Sequence, residues 1–313
     1  MSGIMGGMAM TGKRVALALG AGGARGYAHL GVVQELRARG HEIVAVAGTS
    51  MGALVGGLIA AGKDEEFAGW ATALRQIDVL RLLDPKWRAG GAFNAGGVVA
   101  ELEKLLGEQL IEDLPIPFTA IATDLESHRE VWFQQGPLVK AIRASIGIPG
   151  VFMPVMWNGR VLVDGGLLNP LPMEPTAAAP ADLTIGVSLQ GRRTQRGTHA
   201  PAVENSADVT ADEEGTRVLR RLREKLGVGG ETTKAPKVEP SRAQPDLRIA
   251  DVMTLSWDVM QEMVARYRLA GLPPDVLITV PADAARTLDF HRAAEMIDLG
   301  RRLTAKALDD AGC

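Results

Sequence analysis

The chain turns sharply from an apolar strand into a helix twice between Arg14 and Gly52, each time through glycines, and this pattern limits what it can fold into. Arg14 to Leu19 is a short apolar run, which suits a buried strand, and it enters Gly20-Ala21-Gly22-Gly23-Ala24-Arg25-Gly26. From about Ala24 to Arg39 the pattern is helical. Tyr27, Leu30, Val33 and Leu36 fall on one side, and Gln34, Glu35, Arg37 and Arg39 on the other. Gly40 suits the stop. Ile43 to Ala47 is the next buried strand. A strand, helix and strand in succession form a βαβ unit, with a parallel pair and a right-handed crossover. The second turn, Gly48-Thr49-Ser50-Met51-Gly52, leads into a small apolar helix ending near Ala61.

The same alternation continues. Asp64 to Leu106 reads as mostly helical, broken by the glycine-rich stretch from Ala89 to Gly97. Phe118–Thr123, Glu130–Phe133, Val161–Val163, Leu183–Leu189 and Val276–Val280 read as strands, and Val139–Ser145 as a short helix. Two long helices close the chain, about Ile249–Leu269 and Asp289–Leu308. The expected class is α/β, with a mostly parallel central sheet between helices. Residues 1–13 are rich in Met and Gly and read as a disordered lead-in. About 190–246 is a polar, low-complexity insert, in which Arg217 to Leu226 patterns as a short basic amphipathic helix. That segment, with Val218, Leu219, Leu222 and Leu226 on one stripe, suits either a solvated loop helix or a peripheral contact with an anionic membrane.

Composition removes several classes. A formal net charge of −3 gives no footprint for nucleic acid. The one cysteine, Cys313, allows no internal disulfide, and no stretch has the roughly 20 apolar residues of a membrane span. With no signal-peptide pattern at the start, a cytoplasmic location is expected. No metal-ligand motif is present, so no metal or cofactor is expected.

G-x-S-x-G has a mechanical meaning. A nucleophile on a tight strand-to-helix turn needs glycines two residues away on each side, here Gly48 and Gly52, to avoid clashes. The following N–H, of Met51, sits at a helix start, where an oxyanion is stabilised. The plain alternative is a tight turn with Ser50 as a helix cap. The Gly20–Gly26 loop also ends at a helix N-terminus. It fails the dinucleotide pattern, since Arg25 stands where the third glycine belongs, and it lacks the Lys of a P-loop. An oxyanion hole from the Gly22 and Gly23 amides, with Arg25 as a supporting charge, fits better. Among five histidines only His29 falls near the site, and a packed helix residue describes it better than a base. Asp164 follows the strand Val161–Val163 and precedes Gly165-Gly166, where α/β sheets place functional groups; a turn aspartate is the alternative.

Together these pieces resemble the patatin-like phospholipase family, in its bacterial branch. They comprise the loop Gly20–Gly26, the Ser50 turn, Asp164-Gly165-Gly166, and the stretch Ala144-Ser145-Ile146-Gly147-Ile148-Pro149-Gly150-Val151-Phe152-Met153-Pro154, with Asp275-Val276-Leu277-Ile278, Asp289-Phe290 and Gly300 further on. The resemblance runs from about Arg14 to Leu308 and implies a three-layer α/β/α fold. It further implies a serine acyl hydrolase working through a Ser50–Asp164 dyad on lipid acyl esters. A carboxylesterase or thioesterase for soluble substrates, or a regulatory protein that keeps the fold, are the alternatives. One departure stands out: Ala21 replaces the first of the family's three consecutive glycines.

Overall fold

A computed structural model describes residues 12–82, 95–193 and 249–313. The lead-in to residue 11, most of the expected glycine-rich break, and the insert from 194 to 248 with its Arg217–Leu226 segment lie outside the described residues.

Among the described residues eight strands form one sheet: β1 (Arg14–Leu19), β2 (Glu42–Thr49), β3 (Phe118–Asp124), β4 (Arg129–Phe133), β5 (Val155–Trp157), β6 (Arg160–Asp164), β7 (Leu183–Gly191) and β8 (Val276–Pro281). The helices are α1 (Ala28–Ala38), α2 (Met51–Ala60), α3 (Asp64–Thr72), α4 (Gln76–Leu82), α5 (Gly96–Leu106), α6 (Leu138–Ser145), α7 (Ile249–Gly271) and α8 (Ala293–Ala311). β3-β2-β1-β7-β8 are parallel throughout, while β4, β6 and β5 join antiparallel. The result is the expected three-layer α/β/α arrangement with a mostly parallel sheet. β1 is fully buried from Val15 to Leu19, because helices cover both faces of the sheet centre. Its unbroken apolar run, without polar alternation, follows from that.

Differences from the sequence reading have local causes. The expected first helix opens as a 3-10 turn, Gly23–Tyr27, before α1, and the last opens the same way at Phe290–Arg292. β7 continues to Gly191, so Gln190 and Gly191 belong to the sheet and not to the insert. β5 was not expected. It is three residues long and joins β6 through Asn158-Gly159, both at positive φ (49° and 77°), a two-residue hairpin turn.

α1 and α8 touch backbone to backbone. A Cβ on Gly31 would lie 1.9 Å from the Ile297 carbonyl oxygen, and one on Gly300 would lie 2.1 Å from that of Ala28. Gly69, exposed within α3, faces open space. Gly300→Val is therefore expected to lower the unfolding free energy by about 3 kcal/mol, through forced separation of the two helices. Gly69→Ala is expected to raise it by about 0.5–1 kcal/mol. Urea midpoints at unchanged m-value would measure both.

Candidate active site

The site is assembled on one edge of β3. β4 occupies the opposite edge, pairing with Ala120 to Asp124. β2 pairs with Phe118–Ile121 and β6 with Ala122–Asp124, and both spans overlap that of β4. A strand has only two edges, so β2 and β6 share the other one, end to end. Thr49 stands opposite Ile121 and Asp164 opposite Ala122, the next rung. The residue that follows Thr49 is Ser50.

Ser50 has φ 58° and ψ −123°, a conformation costly for any residue with a side chain. Three groups hold it there. The Ser145 hydroxyl, at the end of α6, accepts the Ser50 N–H at 2.9 Å and donates to the Ile121 carbonyl at 2.5 Å. Gly48 and Gly52 allow the turn to close: a Cβ on Gly48 would lie 2.2 Å from the Gly52 carbonyl oxygen, and one on Gly52 2.1 Å from that of Leu19. Next to it, the Thr49 hydroxyl donates to the Asn169 carbonyl at 2.8 Å, tying the Ser50 turn to the loop after β6.

Asp164 is buried at the end of β6. Its Oδ1 accepts the Gly166 N–H at 2.7 Å. Burial pushes its pKa up to about 7, against a smaller downward pull from the Ser50 hydroxyl and the Gly166 amide. Oδ2 nevertheless has no well-aligned partner.

The glycine-rich loop divides its amides. Gly20 N–H donates to Val187, Ala21 N–H to Pro170 and Ala24 N–H to Thr287. The N–H groups of Gly22, Gly23 and Met51 meet no acceptor among the described residues. Ala21 costs nothing here: the loop's positive φ falls on Gly23 (56°), and the Ala21 amide is already engaged. Arg25 is buried. It donates to the carbonyls of Gly22 (3.1 Å) and Ala282 (2.7 Å) and to Asp258 (3.3 Å), so its charge braces the loop from behind.

None of the described histidines is hydrogen-bonded to Ser50 or Asp164. His29 Nε2 donates to the Gly20 carbonyl at 2.9 Å, and burial pushes its pKa down to about 4, so the ring is neutral and structural. His41 Nδ1 accepts the Lys13 N–H, and His128 and His291 lie in the β3–β4 turn and the 3-10 turn before α8. His199 lies outside the described residues. Among the described residues no cluster of metal-ligating side chains occurs.

Beside Ser50 a pocket opens that the sequence reading did not foresee. Tyr27, Met51, Leu54 and Phe152 line it together with Phe67, Trp70, Val79, Val98 and Leu102 from α3, α4 and α5. Glu101 is the one ionisable carboxylate in an otherwise apolar wall, and it pairs with Lys104 at 2.7 Å. The roles of Ser145 and Asn169 were also missed. Ser145 stood inside a quoted motif, yet nothing local to it says that it reaches Ser50.

A serine on a strained strand-to-helix turn, an abutting carboxylate and an adjoining amide-rich loop are thus brought together at one point of an α/β/α sheet. Comparison with known proteins gives the family. Residues 17–177 match the model of the patatin-like phospholipases. A protein of the NTE family from Mycobacterium tuberculosis is 45% identical over 335 aligned positions, covering 95% of this chain and 91% of that one. A patatin-like phospholipase domain-containing protein of Caenorhabditis elegans is 35% identical over 53% of this chain and 13% of its own length. A lysophospholipase of Mycosarcoma maydis is 35% identical over 58% of this chain and 10% of its own length. The chain belongs to the patatin-like phospholipase family.

The raised pKa of Asp164 has a cost. The fold favours the protonated carboxyl, so its contribution to stability is complete below the ordinary value near 3.8 and is lost as pH rises through about 7. Asp164→Asn is expected to remove this loss. Thermal melts from pH 4 to 8 should show the variant gaining on the natural protein, by a few kcal/mol at the alkaline end.

Proposed function

We propose that the protein is a serine acyl hydrolase acting on lipid acyl esters, its catalytic domain spanning about residues 14–308. The observation that carries this is the conjunction of Ser50, Asp164 and the apolar pocket at one point of the sheet. An acyl chain lying in the pocket brings its ester carbonyl to the Ser50 hydroxyl. The lining is long, aromatic and aliphatic, which suits a fatty acyl chain better than a compact polar acid.

Asp164 Oδ2 takes the proton of Ser50 as Oγ attacks the carbonyl carbon. The carbonyl oxygen becomes an oxyanion facing the free N–H groups of Gly22 and Gly23, with Met51 at the start of α2 beside them. Each such donor accounts for about 3–4 kcal/mol of barrier reduction in hydrolases of this kind. When the ester C–O bond breaks, Asp164 returns the proton to the leaving alcohol. A water then attacks the acyl-enzyme, losing its proton to Asp164, which passes it to Ser50 Oγ as the acyl C–O bond breaks and the acid departs. A carboxylate with pKa near 7 suits this, since it both accepts and returns a proton near neutrality. Arg25 acts only by holding the amide loop.

Three outcomes test the reading. A fluorophosphonate probe should label Ser50, and Ser50→Ala should abolish both labelling and esterase activity; labelling at another residue with activity intact would overturn the assignment. The kcat/KM of the natural protein should rise with pH to a plateau, with an apparent pKa near 7, while Asp164→Asn lies lower by about a thousandfold. Leu102→Trp, which fills the pocket, should lower turnover of long-chain esters at least tenfold relative to short-chain ones, measured side by side.

A further inference from the structure

A helix packed on a protein in water ordinarily turns its apolar side inward. From residue 253 onward α7 turns polar groups inward as well, although Leu269 packs against the buried Leu171 and Met173. Its inner stripe is Asp258, Gln261, Ala265 and Arg268, and this stripe reaches both loops of the site. Asp258 accepts from Arg25 of the glycine-rich loop at 3.3 Å. Gln261 accepts from Gln190 at 2.6 Å, and its Nε2 lies 2.1 Å from where a Cβ on Gly166 would be. Arg268 donates to the Leu168 carbonyl at 3.2 Å and pairs with Glu130 and Glu174 at 2.7 and 2.6 Å. The outer stripe is Met253, Met260, Met263 and Tyr267, exposed by 66, 36, 39 and 74%, with Val259 beside it at 61%.

We infer that this outer face of α7 is a docking surface for a lipid bilayer, which seats the catalytic loops beside the membrane. The inference rests on the lipid acyl hydrolase reading for its purpose, though its geometry is independent of that reading. Three observations select this occupant. First, the charged groups flanking the stripe, Glu262 and Arg266, neutralise each other at 2.8 Å, so the face offers nothing to a strongly charged partner. Second, flexible methionines and a tyrosine with its polar tip suit the boundary between acyl chains and headgroups. Third, the helix lies with its inner side on the site's two loops. Whatever its outer side rests on is therefore about one helix diameter, roughly 10 Å, from those loops. No helix among the described residues is long and apolar enough to cross a membrane, so α7 would lie in the plane of the surface.

The test uses the full chain with Met260, Met263 and Tyr267 all changed to Glu, in a Ser50→Ala background so that substrate is not consumed. Co-sedimentation with phosphatidylcholine vesicles should weaken at least tenfold, whereas the set Met260→Leu, Met263→Leu and Tyr267→Phe should bind as the unaltered protein does. Binding by the unaltered protein should persist when salt is raised severalfold, because it is not a charge attraction. With Ser50 restored, the Glu variant should lose vesicle hydrolysis by a similar factor and keep hydrolysis of p-nitrophenyl butyrate within twofold. Vesicle binding unchanged in the Glu variant would overturn the inference. So would a dimer in vesicle-free solution that the same substitutions split into monomers, since the face would then belong to a second copy. A protein that binds vesicles through this face but cleaves no ester would instead overturn the proposed activity and leave the docking surface standing.

Discussion

One edge of β3 carries the site. β2 arrives parallel and stops opposite Ile121; β6 arrives antiparallel and stops opposite Ala122. Two strands meeting head on cannot both continue, so each must leave the sheet at the junction. β2 leaves through the strained Ser50 turn into α2, and β6 through Asp164 into the Gly165–Leu167 turn. Ser145 closes the junction by bonding both the Ser50 amide and the Ile121 carbonyl. Proximity of hydroxyl and carboxylate is thus a result of backbone pairing, fixed before either side chain chooses a rotamer.

The rest of the molecule absorbs the cost of that junction. A serine at positive φ and a buried carboxylate each oppose folding. They persist because the parallel core beneath is continuous and apolar, and because the surrounding polar groups are tied down. Arg25 fixes the amide loop, Asn169 links the Ser50 turn to the loop after β6, and Arg268 gathers Glu130 and Glu174 beneath that loop.

Much of this was legible in the sequence, where local rules apply. The glycines around Ser50, the apolar run ending at Asp164 and the two strand-to-helix turns announce themselves through close-range sterics and periodicity. His29 read correctly as a packed residue, because a histidine within an apolar helix face has an ordinary explanation. What stayed hidden depends on residues far apart in the chain. The register of β6 on β3 joins position 122 to 164, and no nearby residue encodes it. The apolar pocket is shared among α2 to α5 and the segments holding Tyr27, Phe152 and Phe290, none of which looks unusual alone. For α7, the sequence shows a long helix, but not which of its residues meet the loops of the site.

The pairing that carries Asp164 is short. β6 meets β3 over three rungs only, and its other neighbour, β5, is itself a three-residue edge strand. Ser50, by contrast, follows a strand locked between β1 and β3 in the middle of the sheet. Regions of a protein open with very different ease, and short marginal pairings open first. Under mild heat or denaturant the Asp164 end of β6 can therefore come away while Ser50, the helices and the parallel core remain in place. On the roles proposed for Asp164 and Ser50, activity would be lost before the fold is, and a spectrum that still looks native would be no assurance of activity.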